Sequence, residues 1–339
     1  MLNHANETVQ WNAANQGTDR ENKHIFLLQE LLVTVALQGY RFTTVTPVTH
    51  QHFLSRAGAA KNTRDIFGWN LRFKKNLLSP YLFDLMSQAN LLVHSDGYCR
   101  SKIRISSLDH DLFLHSSFPT DDKQAVFFGP DTYRFARFIQ QSLKVLQLEQ
   151  GLGVQNTLRI LDVGCGSGAG GVAAARALAN QINYVLTLND LNPVALAYAT
   201  ACSRVAAVPV TILPGDFFNI HNVTFDLIIS NPPYILDPTK RLYRDGGSQF
   251  GLELSVRIVK HALDLLAPGG RLLLYTGVAM ASDEKNPLLA ELMPHFSSGN
   301  FCWSFEEIDP DIFSEELAQP AYDGIHRIAA VGLTIVRIS

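Results

Sequence analysis

Two short segments carry residue types that could do chemistry together: Asp162-Val163-Gly164-Cys165-Gly166-Ser167-Gly168 and Asn231-Pro232-Pro233-Tyr234, each directly following an apolar run. In the first, glycines allow a tight turn, let a nucleotide-like ligand approach the main chain, and let the following helix pack against the strand. The second has the chemistry to hold a planar NH2 group. The lone pair of such a nitrogen is delocalised, so its two hydrogens must be accepted and the nitrogen turned toward an electrophile. The side-chain oxygen of Asn231 and the carbonyl of Pro232 can do this. Proline stiffness fixes the carbonyl, Pro233 borders the same acceptor, and Tyr234 offers a flat face to it.

Gly166, Gly168 and Gly171 also satisfy G-x-G-x-x-G, a dinucleotide fingerprint that is weak alone. Asp162 argues for a different ligand. A carboxylate just before the first glycine can hold the ammonium of a methionine moiety but would repel a pyrophosphate, which favours S-adenosylmethionine over a nicotinamide dinucleotide. Asp190, 22 residues after Gly168, suits two ribose hydroxyls or caps the helix that begins near Asn192-Pro193. Asp216-Phe217 suits an adenine amino group and ring, or ordinary loop and core. Gly164, Gly166 and Gly168 complete the cofactor set, and transfer of a methyl group to nitrogen follows from the two segments together. Catalysis would be mainly orientation, with water excluded and no dedicated general base.

Positioning these segments requires a sheet. From about Val126, short apolar runs alternate with helical stretches, the pattern of βαβ units around a parallel sheet. Strands are expected over 158–163, 184–189, 209–213, 225–230, 271–276, 301–307 and 328–337. Both segments then leave the carboxyl ends of strands, where open α/β sheets place ligands. Tyr243-Arg244-Asp245-Gly246-Gly247 follows, with the composition of a mobile loop that could close over substrate or of a plain surface turn.

The first 125 residues read differently. Thr18-Asp19-Arg20-Glu21 is a capping box that opens a helix to about Gln38. Thr46-Pro47 opens a second, ending by Gly58, and Ser79-Pro80 a third, to about Ala89. Runs 91–94 and 98–105 flank Asp96-Gly97, a hairpin signal. Helices followed by a hairpin suggest a winged-helix-like domain over 1–125, joined to a larger domain over 126–339. Between Lys61 and Arg104, eight basic residues stand against three acidic ones, either a solvated face or a surface for an acidic partner.

Composition excludes several classes. With 47% apolar and 17% charged residues the chain is not disordered, and a net charge of −3 argues against a dedicated nucleic-acid binder. The four cysteines are far apart and form no CxxC, so no zinc ribbon or disulfide framework is expected; no metal is assigned to His50 and His52 either. Cys165 in the glycine turn has a steric role. The polar first 23 residues lack the features of a signal peptide, and no segment is long and apolar enough for a membrane span, which together suggest a cytoplasmic protein.

Asp162 to Gly168, Asp190 and Asn231 to Tyr234 resemble the class I S-adenosylmethionine-dependent methyltransferases, within them the amino-methylating group with an Asn-Pro-Pro-Tyr motif. The resemblance covers about 126–339 and implies a seven-stranded, doubly wound Rossmann-like domain. Motif order and Phe128-Gly129-Pro130-Asp131-Thr132 before a helix are most similar to release-factor glutamine methyltransferases and small methyltransferase domains. The resemblance implies methyl transfer to a protein glutamine amide. Asn231, Pro232 and Tyr234 would be catalytic, and Pro233, Tyr243 and Arg244 would lie near the substrate. Relatives that modify guanine in ribosomal RNA or adenine in DNA imply an exocyclic amine of RNA or DNA as the alternative acceptor. A nucleic-acid-binding regulator with a vestigial cofactor pocket is a further alternative, of another class.

Overall fold

The computed structural model describes residues 18–150, 157–178, 182–282, 285–296 and 299–338. Helix α1 (Asp19–Leu37) starts at the expected capping box of Thr18 and Glu21 and buries Leu27, Leu28, Leu31, Leu32 and Val35. Thr46 and Ser79 cap α2 (Pro47–Leu54) and α4 (Pro80–Gln88), each with proline in the first turn; α2 stops well short of Gly58. Between them lies α3 (Thr63–Phe67), too short to leave a periodic pattern in the sequence.

Strands β1 (Leu92–Ser95) and β2 (Tyr98–Ser101) form the hairpin about Asp96-Gly97, both of which have positive φ (51° and 73°), as a two-residue turn of this kind requires. The run expected to continue to residue 105 instead breaks at Lys102. The Ser101 hydroxyl bonds both the main-chain nitrogen and the carbonyl of Ile103, and a second hairpin begins there: β3 (Ile103–Leu108) with β4 (Asp111–Ser116). The segment 117–129 then leads to α5 (Pro130–Gln150).

The remaining elements are β5 (Leu158–Val163), α6 (Ala169–Leu178), β6 (Tyr184–Asp190), α7 (Pro193–Val205), β7 (Thr211–Pro214), β8 (Phe225–Ser230), α8 (Ser248–Gly251), α9 (Glu253–Leu265), β9 (Leu266–Ala281), α10 (Pro287–Phe296), β10 (Phe301–Asp309) and β11 (Ile325–Arg337). They make the expected seven-stranded sheet, in the order β10-β11-β9-β8-β5-β6-β7. Strands β5 to β9 pair in parallel, whereas β11 lies antiparallel between β9 and β10, a departure from an all-parallel sheet. The physical reason is the connection. Residues between β10 and β11 form only short 3-10 turns at Ser314–Ala318 and Pro320–Tyr322, and without a crossover helix the chain returns beside the strand it left.

Side chains alternate across this sheet. Ile160, Leu227, Ile229 and Leu273 join the core with α5, α6 and α7, while Leu161, Ile228, Leu272 and Leu274 join the core with α9 and α10. The N-terminal elements share the first of these cores. Arg176 of α6 pairs with Asp111 of β4 at 2.8 Å, and Leu114 N–H donates to Cys202 Sγ of α7 at 3.3 Å. Among the described residues no helix is long and apolar enough to cross a membrane.

Candidate active site

The sheet order reverses between β5 and β8. From β5 the chain steps outward through β6 and β7, then returns to place β8 on the other side, with Val163 level with Ser230. A crevice at the carboxyl ends of two such strands is where α/β sheets bind ligands. The Ser230 hydroxyl donates to the Val163 carbonyl at 3.0 Å and ties the two strand ends together. A cavity of about 240 Å³ opens there, lined by Asp162, Gly164, Gly166, Asp190, Asp216 and Phe217 on one side and by Asn231, Pro232, Pro233, Tyr234, Tyr243 and Arg244 on the other. Of the residues assigned to the cofactor and to the acceptor from sequence, Gly168 lies off this wall. Its φ of +82° shapes the turn, and an added Cβ would sit 3.3 Å from Leu188.

At the glycine turn, Gly166 sits in the left-handed region (φ 55°) and its N–H donates to Asp190 Oδ2 at 2.9 Å. The other oxygen of Asp190 accepts from Asn192 N–H at 2.8 Å, so one carboxylate joins the turn to the end of β6. Asp162 reaches across to α6, where Oδ2 accepts the Gly171 N–H at 2.7 Å; a Cβ on Gly171 would crowd that oxygen at 3.2 Å. Burial pushes the Asp162 carboxyl up to about 7, the Gly171 N–H opposing and the Asp190 charge adding. Near neutral pH this carboxyl is therefore partly protonated, and a cation entering the cavity would favour its ionised form. Asp216 caps the 3-10 turn Phe217–Asn219, accepting from Phe218 N–H at 3.0 Å, and buried Phe217 packs edge-on to His261. Burial drives the Cys165 thiol well above its usual range, so it stays protonated and serves as small packing.

The opposite wall is built differently. Tyr234 is 7% exposed and hemmed in by glycines: an added Cβ would fall 2.3 Å from its ring at Gly277, 2.3 Å from its carbonyl oxygen at Gly251 and 2.7 Å from its Cα at Gly246. Its hydroxyl donates to Asp131 Oδ2 at 2.6 Å. Asp131, from the first turn of α5, was part of a sequence segment to which no chemistry was assigned; it is 2% exposed and borders the cavity. Only its place in Phe128–Thr132 hinted at it, since the Tyr234 contact spans 103 residues.

Tyr243 donates to the Thr120 carbonyl at 2.6 Å, and its ring lies nearly parallel to that of Phe127 at 6.3 Å. Arg244 pairs with buried Glu316. The loop carrying them is pinned to the segment that follows Tyr234, with Ile235 N–H donating to the Arg244 carbonyl (3.2 Å) and Gly246 N–H to the Ile235 carbonyl (2.9 Å). These bonds hold the loop against the cavity. Away from the cavity, His50 is buried on Phe118 with its Nε2 on the Trp69 carbonyl, and no group of three or more potential metal ligands occurs among the described residues.

Residues 143–298 match the family model described as methyltransferase small domain. A release factor glutamine methyltransferase from Geobacter sulfurreducens is 34% identical over 166 residues, covering 45% of this chain and 54% of that protein. Ribosomal RNA small subunit methyltransferase C from Sodalis glossinidius is 32% identical over 113 residues, 33% of this chain and 29% of that one. Among solved structures, Trm5b from Pyrococcus abyssi is 14% identical, with a TM-score of 0.46 over 72% of this chain and 62% of its own. The chain thus spans about half the length of the release-factor relative it matches. By its seven-stranded sheet and the family match over residues 143–298, this chain resembles the class I S-adenosylmethionine-dependent methyltransferases, the release-factor glutamine methyltransferases among them.

Proposed function

We propose that this protein transfers a methyl group from S-adenosylmethionine to a planar NH2 nitrogen, and that the acceptor is a glutamine side-chain amide of a protein. The observation that carries the reading is that Asn231-Pro232 and the glycine turn face one cavity at the reversal of the sheet. The residues fit the cofactor. Asp162 would hold its ammonium, the main chain at Gly164 and Gly166 would lie along it, Asp190 would take the ribose hydroxyls, and Asp216 with Phe217 would receive the adenine. When bound, it supplies an electrophilic methyl group on a sulfonium.

The chain supplies orientation. Asn231 Oδ1 and the Pro232 carbonyl would accept the two acceptor hydrogens and turn the nitrogen, and as it becomes positive both oxygens favour it more strongly. Pro233, Tyr234, Phe127 and Tyr243 give the cavity an apolar wall that keeps water from the reacting atoms. Residues 1–125 would recognise the acceptor. The match to a release factor glutamine methyltransferase supports the amide.

An exocyclic amine of RNA or DNA is the second reading, and one observation favours it. Arg72, Lys74, Lys75, Arg100 and Lys102 are exposed on or beside the β1–β2 hairpin, none of them in an ion pair with a carboxylate among the described residues, Arg72 and Lys74 lying over the Tyr98 ring at 4.7 and 5.9 Å. The ribosomal RNA relative supports the same alternative. Incubation with methyl-labelled S-adenosylmethionine and fractionated lysate separates the two. Label that is lost to protease and kept after nuclease supports the amide; the reverse result overturns it, and tight cofactor binding with no labelled product overturns the enzyme.

A further inference from the structure

We propose that Asp131 is the positioning residue of the acceptor segment, acting through the Tyr234 hydroxyl to hold Asn231-Pro232-Pro233 at the angle methyl transfer requires. The inference rests on the N-methyltransferase reading above and adds a residue to its machinery from outside the motif.

The geometry is specific. Asp131 sits in the first turn of α5, where Thr132 accepts the Gly129 N–H and the helix N-terminus favours a carboxylate. Its two oxygens are divided: Oδ2 accepts from Tyr234 at 2.6 Å, and Oδ1 accepts from Tyr275 of β9 at 2.7 Å and from Arg134 at 3.1 Å. Arg134 in turn reaches Asp309 at the end of β10, at 2.7 Å. The carboxylate therefore bridges the acceptor segment to α5 and to two strands of the sheet. Burial raises both phenols far above their ordinary range, so each stays protonated and donates.

The bond to Asp131 holds the far end of the Tyr234 side chain. Gly277 lets the main chain of β9 pack against the ring, where an added Cβ would fall 2.3 Å away, while Gly246 and Gly251 make room for the Tyr234 main chain. Phe313 meets the ring edge-on at 6.0 Å, and the hydroxyl ties it to the first turn of α5. The ring is two residues from the Pro232 carbonyl across a proline that admits little backbone adjustment, so a rotation at Tyr234 is passed to that carbonyl. A small misalignment at the reacting atoms is enough to lower the rate about a hundredfold.

Three near-isosteric variants test this: Asp131→Asn, Tyr234→Phe and the double variant, with Tyr275→Phe as control for the other side of the same carboxylate. Asp131→Asn and Tyr234→Phe are each expected to lower kcat about 10- to 100-fold while the KM for acceptor and the Kd for S-adenosylmethionine stay within about threefold. The double variant should lose no more than the worse single one, because both remove one link. Tyr275→Phe should lower Tm about as much as Tyr234→Phe and change kcat by less than about threefold. Unchanged kcat in Asp131→Asn, multiplied losses in the double variant, or equal kcat losses from the two tyrosines would each overturn the proposal. Hydrogen exchange at Tyr234 and Ile235 gives a readout independent of turnover: it should quicken in Asp131→Asn and Tyr234→Phe but not in Tyr275→Phe, and no change would also overturn it. Wild-type protein that transfers no methyl group would instead defeat the underlying reading, while the exchange comparison still decides the role of Asp131.

Discussion

The two walls of the cavity hold their residues in place by different means. On the side of the glycine turn, carboxylates bond main-chain N–H groups: Asp162 to Gly171, Asp190 to Asn192 and Asp216 to Phe218 within nine residues, and Asp190 to Gly166 across 24. On the acceptor side, Tyr234 meets Asp131 across 103 residues and Arg244 meets Glu316 across 72, side chain to side chain. The first wall is a property of two strand–turn–helix units. The second exists only when α5, β8, β9 and the segment near residue 316 have assembled. A cofactor site made locally can be shared by many chains, whereas an acceptor site assembled from distant side chains can differ between relatives that keep the same motif.

The sharpest test of this division is to damage one wall and measure both. Asn231→Ala should lower transfer about 100- to 1,000-fold, the scale of losing an oriented polar group at a reacting centre, and leave the Kd for S-adenosylmethionine within about threefold by calorimetry. A comparable loss of cofactor affinity would mean the two walls are not separable.

The converse damage is at Asp162, and pH reports it. Its folded carboxyl is raised to about 7 by burial, so between about 4 and 7 the folded chain keeps a proton that the unfolded chain has released. Stability without cofactor should therefore fall as pH rises through that window and level off above it. Binding a cation there favours the ionised form, so affinity should rise with pH over the same range, about tenfold from pH 6 to 7.5. Asp162→Asn should bind at least tenfold more weakly near pH 7.5 and lose this dependence. A flat affinity profile in the parent protein would remove Asp162 from the ammonium site.

Glycines make a smaller contrast. Gly277→Ala would press a methyl group into the Tyr234 ring, costing about 1–3 kcal/mol by overpacking, and transfer should drop roughly tenfold with cofactor affinity kept. Gly164→Ala meets no atom within 4 Å, but its φ of +67° costs about 1–2 kcal/mol, and its loss should appear in cofactor affinity. If both variants weaken the same parameter, the walls are one unit.

The same contrast explains what could be read from the chain. Strand 158–163, the glycine turn and the caps at Thr18, Thr46 and Ser79 were legible because the groups that define them lie within a few residues. The reversal of β11 was not, because strand direction depends on how the chain returns and leaves no mark in the apolar run 325–337. Asp131 was invisible as a site residue for a related reason. One acid at a helix start reads as a favourable end charge, and its two tyrosine partners lie 103 and 144 residues away. Tyr243 and Arg244 were singled out in the sequence and line the cavity, but Glu316 and Thr120, which hold them, carry no local signal.

The smallest expected effect concerns the region farthest from the motifs. If the acceptor is a protein amide, replacing Arg72, Lys74, Lys75 and Arg100 together by alanine should change the acceptor KM by less than about threefold. Exposed charges contribute little to a protein contact, and salt already screens them. A nucleic acid held by those cations would behave otherwise. Each phosphate contact releases counterions, so the parent protein should lose affinity steeply between 50 and 200 mM salt, and the fourfold variant should lose most of that slope. Segment 117–120 makes the measurement informative: Ser117 N–H donates to the Lys102 carbonyl, and Thr120 accepts from Tyr243 at the cavity, so the basic face and the acceptor wall are joined by a few residues. A steep salt slope that the variant flattens would transfer the acceptor from protein to nucleic acid without touching the argument for Asn231, because either acceptor presents the same planar NH2 to the same two oxygens.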